Sequence, residues 1–357
     1  MLQRNDSITI MKALAIICMV AGHSYTRSPI ENFVGLFHMP CFFICSGYCF
    51  KEKYLVDSRN YIYRKVKALW LPTVKWIVAL VLLQNIMLNV GIIKEGFSGG
   101  IDVHYYDLKD YAKYIAMSVI LHAHVPLFAG LWFIKMLLIA SIGCFFVIKY
   151  CTKNGIYIVM GVLILLSIIL LQVSPNHIPF IDQAHLPFLS SFFFLVGYLI
   201  RKCNVTEKIR NCSLFILSTA LVLLIGGYNF CLSSMVSLSS LLCIPFCIIA
   251  ISATLAMFEI SRNLTSLPPP ALKYITYMGN HTFSILMMHI LSFKIVSALL
   301  IWHFSLPYDL LSNFPTIHFM TEKGFWIVYL IAGVNISLVC QWSYITSKHK
   351  WKTLNLR

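Results

Sequence analysis

Long apolar stretches recur from one end of the chain to the other, and several are about 20 residues long. That is the length at which an α-helix crosses the hydrocarbon core of a bilayer. The composition agrees: 59% of the residues are hydrophobic and only 11% are charged, against about 25% charged in soluble domains. We therefore predict an all-α fold, a polytopic membrane helix bundle. Polar side chains interrupt the first apolar stretch and no small-residue cleavage site follows it, so we expect it to be retained rather than removed as a signal peptide.

The apolar stretches predict ten transmembrane spans within one membrane domain, residues 1–357. They fall near residues 8–26, 33–50, 68–93, 130–149, 155–173, 186–201, 213–231, 236–258, 275–302 and 324–345. A further apolar stretch, 108–125, is broken by His122, His124 and Pro126 at its end. We interpret it as a re-entrant or interfacial helix. If it crossed the membrane, the count would be eleven and the later topology would invert.

The distribution of basic residues decides between these two topologies. With ten spans, 19 lysines and arginines lie on the side of the N-terminus: Arg4, Lys51, Lys53, Arg59, Arg64, Lys65, Lys67, Lys149, Lys153, Arg201, Lys202, Lys208, Arg210, Arg262, Lys273, Lys348, Lys350, Lys352 and Arg357. Five lie on the other side: Arg27, Lys94, Lys109, Lys113 and Lys323. Because cytoplasmic loops carry the excess of Lys and Arg, we predict a multi-pass cell-membrane protein with both termini in the cytoplasm. The net charge of +15 then reflects topology and anionic lipid, and nucleic acid is not an expected partner.

Three cysteines of the second span, Cys41, Cys45 and Cys49, share one helical face because they are spaced four residues apart. The chain shows no Cys-x-x-Cys pair and no Cys/His spacing typical of a metal site. We interpret these cysteines as small packing residues between helices. No disulfide framework, bound metal or prosthetic group is predicted.

Ionisable residues inside spans are costly in lipid, so they mark candidate functional positions. Lys12 and His23 are eleven residues apart, which places them on nearly the same face of the first span, three turns from each other. His38 begins the second span, and Pro40 suits the first turn of a helix.

Two more spans are predicted to bring polar groups to the same depth. The fourth span begins with Trp132 and Lys135, and the ninth carries His289 to mid-membrane or beyond. A single intramembrane histidine is more often a hydrogen bonder between packed helices. Three histidines and a lysine in one outer layer favour a reaction site.

Several segments, taken in order, resemble the acyltransferase-3 family, which are membrane O-acetyltransferases. The similar segments are "KALAIICMVAGH" (12–23), "FHMPCFFICSGYCF" (37–50), "YRKVKALWLP" (63–72), "LWFI" (131–134) and "GNHTFSILMMH" (279–289). Each motif is short, and their shared order over residues 4 to 345 carries the resemblance. Many members have arginine where this chain has Lys12. The branch of the family with arginine at the position of His38 is excluded, which points toward members that act on sugars.

The resemblance implies an enzyme that takes an acyl group, usually acetyl, from cytoplasmic acetyl-CoA as co-substrate. The acceptor would be a hydroxyl of an extracytoplasmic or lipid-linked sugar or polysaccharide. His23 is the leading candidate base, with His38 and His289 as supporting base, orienting group or acyl carrier. Lys135 or Lys12 could stabilise the oxyanion or hold a donor phosphate, beside Trp132.

The cluster Arg64, Lys65 and Lys67 lies where the phosphates of an acyl-CoA donor would approach from the cytoplasm. Positive-inside anchoring accounts for the same three residues equally well.

Some family members carry an SGNH-type esterase domain after the helix bundle. We expect none here, because the chain ends at Arg357, twelve residues after the last predicted span. Direct transfer, or delivery to a membrane or surface-glycan assembly partner, is therefore expected. The alternative function is a polytopic transporter or flippase for a lipid-linked saccharide, since intramembrane histidines and lysines also suit proton-coupled transport. The lack of repeated halves with paired broken helices argues against it.

Overall fold

Helices form nearly all the regular structure, because backbone groups in a hydrocarbon layer must find their hydrogen-bond partners within their own segment. The computed structural model describes residues 6–26, 28–98, 101–173, 183–229 and 234–354. Three basic residues used in the charge argument, Arg4, Arg27 and Arg357, lie outside the described residues, as do the last two positions of the predicted span 213–231.

Within its described residues, the first half of the chain contains seven α-helices and one pair of short strands. They are α1 (Asp6–Ser24), α2 (Pro29–Gly35), α3 (His38–Tyr48), α4 (Ser58–Lys65), α5 (Leu71–Asn89), β1 (Gly96–Ser98), β2 (Ile101–Val103), α6 (Leu108–Val119) and α7 (Leu131–Tyr150). The two strands pair antiparallel, with Gly96 opposite Val103. A π-helical turn, Val66–Trp70, joins α4 to α5 into one long helix.

The second half is helical throughout its described regular structure. Its helices are α8 (Lys153–Val173), α9 (Leu186–Lys202), α10 (Val205–Lys208), α11 (Ser213–Asn229), α12 (Cys243–Asn263), α13 (Pro269–Asn280), α14 (Thr282–Phe304), α15 (His318–Met320) and α16 (Trp326–Leu354).

The predicted bundle of about ten spans is confirmed as an all-α polytopic architecture. Within the residues that the structure describes, nine helical segments are long and apolar enough to cross a membrane. The remaining predicted span, 186–201, is α9, which has 17 residues and is buried along most of its length. The stretch 108–125 forms the 12-residue helix α6. At 1.5 Å per residue, α6 reaches about 18 Å, too short for a hydrocarbon core of about 30 Å.

The predicted span 275–302 differs from the structure at its start. The helix breaks at His281, so that α13 ends at Asn280 and α14 begins at Thr282. A Cβ at Gly279 would lie 1.9 Å from the carbonyl oxygen of Thr9, which shows how closely α13 meets the backbone of α1. The chain turns immediately after this contact. Only α14 then has the length and hydropathy of a span.

Loops that the charge pattern assigns to one side of the membrane lie together. At one end of the bundle, the hydroxyl of Tyr308 donates to the carbonyl of Val90 at 2.7 Å. At the other end, Lys202 forms an ion pair with Glu52 at 3.2 Å, and the Lys149 ammonium donates to the Ser58 hydroxyl. Loops that the charge pattern groups on one side therefore contact one another.

The tightest helix crossing joins α3 to α9 through two glycines. A Cβ at Gly47 would lie 1.8 Å from the carbonyl oxygen of Phe194, and a Cβ at Gly197 would lie 2.0 Å from that of Ile44. Both distances are far inside van der Waals contact, so only glycine permits this backbone approach. Small residues drive helix association in lipid by this kind of close packing.

We expect Gly47→Ala to destabilise the protein, because α9 must move away to admit the methyl group. Overpacking of this kind typically costs about 1–3 kcal/mol of unfolding free energy. Thermal unfolding in detergent measures the effect, with the fraction of protein that remains monodisperse at each temperature as the readout. Gly143→Ala in α7 is the matched control, since no atom beyond the adjacent residues and backbone of its own helix lies within 4 Å of its Cβ position. Equal unfolding temperatures for the two variants would contradict the crossing.

Candidate active site

Three histidines from three helices converge at one end of α1. The ring centroids of His23 and His289 are 5.3 Å apart, with the rings tilted by 34°. His23 and His38 both line a cavity of about 150 Å³. His289 is only 1% exposed and lies behind His23, away from the cavity wall. The structure thus brings the three candidate histidines together.

Backbone hydrogen bonds fix the tautomers of two of these histidines. Nδ1 of His38 is 2.6 Å from the carbonyl oxygen of Val34, and Nδ1 of His289 is 3.0 Å from that of Leu286. A carbonyl can only accept, so each Nδ1 must carry the proton. In the neutral ring, Nε2 then keeps its lone pair. Nε2 of His289 is buried and has no hydrogen-bond partner in the described part of the chain.

The break between α2 and α3 places His38. The hydroxyl of Ser28 caps α2 by accepting from the Glu31 amide at 3.2 Å, and Pro29 occupies the first turn. The helix ends at Gly35, and α3 starts at His38, as the sequence predicted. The imidazole at the new helix start can therefore reach back to a carbonyl of α2.

The cavity wall contains one carboxylate that sequence reasoning missed. Glu31 is half-buried and lines the same cavity as His23 and His38. The signal was present in the sequence, since Ser28 and Glu31 have the spacing of a capping box, which would have predicted a helix start there. Trp132 completes the opposite wall from the first turn of α7.

Lys12 lines a second cavity, of about 250 Å³, further along α1. Four buried apolar side chains line both this cavity and the histidine cavity and form a septum between them: Met19, Met39, Phe133 and Leu286. Lys12 and His23 are about 16 Å apart along the helix axis, from 1.5 Å per residue. The two cavities therefore lie in series through the bundle.

Cationic groups surround the far end of the second cavity. Cys49, on its wall, lies near enough to Lys12, Lys65 and Arg201 for their charges to act on its thiol. Arg201 is fixed there, because its guanidinium donates to the carbonyl of Phe50 at 3.1 Å.

The three residues of the predicted basic cluster are placed differently. Lys65 is half-buried and sits over the ring of Tyr61, 5.7 Å from its centroid. Arg64 and Lys67 are exposed. Only Lys65 of the three is therefore directed toward the end of the second cavity.

Lys135 lies apart from the histidines. It lines a third cavity, of about 560 Å³, with His122 and His124, and Trp132 is the wall that this cavity shares with the histidine cavity. The expected layer of three histidines and a lysine is thus divided by the tryptophan. The direction in which Lys135 leaves α7 depends on neighbouring helices, which the sequence pattern alone does not fix.

Among the residues that the structure describes, no three His, Cys, Asp or Glu side chains are grouped as a metal site.

The comparison with protein families matches the acyltransferase domain model of the acyltransferase-3 family over residues 5–344. The chain therefore belongs to the acyltransferase-3 family and is a multi-pass membrane acyltransferase. Comparisons with curated proteins and with solved structures found no match.

Proposed function

We propose that this acyltransferase moves an acetyl or other short acyl group from acyl-CoA to a hydroxyl of a sugar or polysaccharide, with His23 as the general base. The observation that carries the proposal is the convergence of His23, His38 and His289 beside a cavity that adjoins a second, lysine-lined cavity. Histidine is the side chain best suited to take and return a proton near neutral pH.

In this proposal the acceptor hydroxyl enters the first cavity and gives its proton to His23 as its oxygen attacks the thioester carbonyl. The tetrahedral intermediate collapses, the carbon–sulfur bond breaks, and the CoA thiolate recovers the proton from His23. The ester and free CoA are the products, so atoms and charges balance. General-base catalysis of this kind typically contributes ~10²–10⁴-fold to the rate.

His289 is proposed as a positioning residue. Its Nε2 lone pair is buried and unpartnered among the described residues, and the ring of His23 lies beside it. A small rotation of His23 would let a ring N–H donate to that lone pair, which would orient the base and spread the positive charge that forms. His38 offers its own Nε2 to the cavity as a second acceptor for the sugar hydroxyl.

The second cavity is proposed as the donor site. The pantetheine arm of acyl-CoA is long and thin, and the cavity leads from the cations near Cys49 toward the histidines. Lys65 and Lys12 would meet the donor phosphates or the thioester oxygen as it gains charge. The flexible side chains of Met19 and Met39 would yield to the arm at the septum.

We expect replacement of Arg64, Lys65 and Lys67 together by glutamine to raise the KM for acyl-CoA without changing the preferred acceptor. Lys65→Gln alone should produce most of the effect, about tenfold, because one charge-assisted hydrogen bond is worth about 1.5–3 kcal/mol. Steady-state kinetics with purified protein measures it. Lys53→Gln is the matched control, since Lys53 also sits over a tyrosine ring but is exposed. An unchanged KM for the triple variant would leave these residues as topology anchors only.

We expect His23→Ala to lower acyl transfer by ~10²–10⁴-fold while the protein still accumulates in the membrane. His303→Ala is the control, because His303 is an exposed histidine at the end of α14. His289→Ala and His38→Ala should also impair transfer. The His23→Ala/His289→Ala double variant should lose less than the sum of the two single losses, since residues that act as a unit are not additive. If His23→Ala transferred the acyl group at a near-normal rate, the proposed role of His23 as general base would be wrong.

We also propose that the protein lies in the cell membrane with both termini in the cytoplasm. The support is the predicted 19-to-5 charge distribution together with the contacts that keep each set of loops at its own end of the bundle. Reporter fusions after residue 348 should report a cytoplasmic position, and cysteines introduced into loops 94–110 and 303–323 should react with impermeant reagents from outside. A reporter after residue 348 that reads as external would contradict the topology.

A further inference from the structure

The third cavity carries positive charge that the reaction described above does not use. It opens between the start of α7, the start of α9 and the segment that follows α6. Lys135 and His122 are half-buried in its wall, and His124 is exposed at the cavity. The rings of the two histidines are 5.6 Å apart and nearly perpendicular.

The electrostatics of this cavity favour a negatively charged occupant. None of the residues described as lining it is acidic, and Lys135, His122 and His124 take part in none of the ion pairs found in the described part of the chain. Although His124 is exposed to the cavity, the protein around its ring removes part of its solvent and lowers its pKa, and the charges of His122 and Lys135 lower it further. A nearby anion would interact favourably with each of these three groups.

The backbone around the cavity is held in an uncommon conformation at two positions. Leu121 and Gln183 line the cavity from opposite sides, and both have positive φ angles, 53° and 68°. Residues with a Cβ seldom adopt the left-handed region, and such residues cluster at ligand sites, where the surrounding structure must enforce them.

Trp132 connects this cavity to the site of transfer. Its indole is half-buried and forms part of the wall of both cavities. Flat aromatic faces offer an apolar platform to the C–H face of a sugar ring. A sugar against Trp132 could place one substituent beside the histidines and another beside Lys135.

We propose that the third cavity binds an anionic group, carboxylate or phosphate, of the sugar acceptor, so that acidic saccharides are the preferred substrates. The proposal rests on the proposed function for the acceptor being a sugar. Lys135 supplies the permanent charge, His122 and His124 add hydrogen-bond donors, and Trp132 orients the ring. The reactive hydroxyl then lies on the histidine side of the tryptophan, which makes the anionic group a determinant of which hydroxyl is acylated.

Binding tests the site without requiring any reaction. Full-length protein in neutral phosphatidylcholine nanodiscs would be titrated with glucuronate, glucose 1-phosphate and glucose, with intrinsic tryptophan fluorescence as the readout. We expect at least one anionic sugar to bind about tenfold more tightly than glucose, since charge-assisted hydrogen bonds are the stronger ones. If glucuronate binds more tightly than glucose 1-phosphate, the site prefers a carboxylate. The opposite order indicates a preference for phosphate. The preference should weaken as salt is raised.

Two variants and a control test whether the preference for anionic sugars arises in the third cavity. Lys135→Gln and His124→Gln should each reduce the ratio of anionic-sugar to glucose affinity, with the lysine variant close to a ratio of one. Lys109→Gln should keep the wild-type ratio, because it removes an exposed lysine of α6 that does not line the cavity. Retained glucose binding shows that a variant is folded. The proposal is overturned if anionic sugars bind no more tightly than glucose, or if the preference survives in both variants.

A transfer assay separates this proposal from the proposed function. With labelled acetyl-CoA, the ratio of kcat/KM for the better-bound anionic sugar to that for glucose should exceed one in the wild type and fall about tenfold in Lys135→Gln. A ratio near one in the wild type would overturn the anionic-acceptor proposal while acyl transfer itself stands. Selective anion binding with no transfer to any sugar would instead overturn the proposed acceptor chemistry.

Discussion

The site depends on the backbone contact between α3 and α9. Two glycines, Gly47 and Gly197, remove the side chains that would keep these helices apart, and the crossing holds α3 at the centre of the bundle. The same short helix carries His38 at its start and Ser46 near its end, so it contributes to the wall of both the first and the second cavity. A shift of α3 along its axis would therefore disturb the walls of both cavities together. Close packing of backbones supplies this rigidity where no hydrophobic effect acts between helices in lipid.

The chemistry proposed for the site follows from the separation of its charges. Lys12 and His23 share α1 but belong to different cavities, and the septum of Met19, Met39, Phe133 and Leu286 lies between them. The cation thus lines the proposed donor cavity, and the proposed base lines the proposed acceptor cavity. A lysine beside the imidazole would disfavour the imidazolium that must form during transfer, so the distance between them is an advantage for a general base.

Much of the fold could be predicted because the hydrocarbon layer leaves few choices. The span 130–149 is found as Leu131–Tyr150, and His38 begins its helix as the nearby proline indicated. Features that depend on contacts between distant segments could not be predicted. The break at His281 follows the close approach of Gly279 to α1. Lys294 is another example, because it is 4% exposed and donates to the carbonyls of Leu311 and Asn313 in the loop that follows α14.

The sequence predicted which histidines lie together, but it did not predict Glu31 on the cavity wall or the side on which Lys135 lies. Helical spacing placed Lys12 and His23 on one face, and depth brought His289 to His23, because both follow from rise and rotation along single helices. The side of α7 on which Lys135 emerges depends on how that helix is rotated against its neighbours, which a single sequence does not encode.

The septum also has a consequence for the cell. The proposed donor and acceptor sites lie on opposite sides of the septum, and an open aqueous route between them would discharge the ion gradients that a membrane maintains. Thioether and aromatic side chains that close behind a narrow acyl carrier let a chemical group cross while the bilayer remains an electrical insulator.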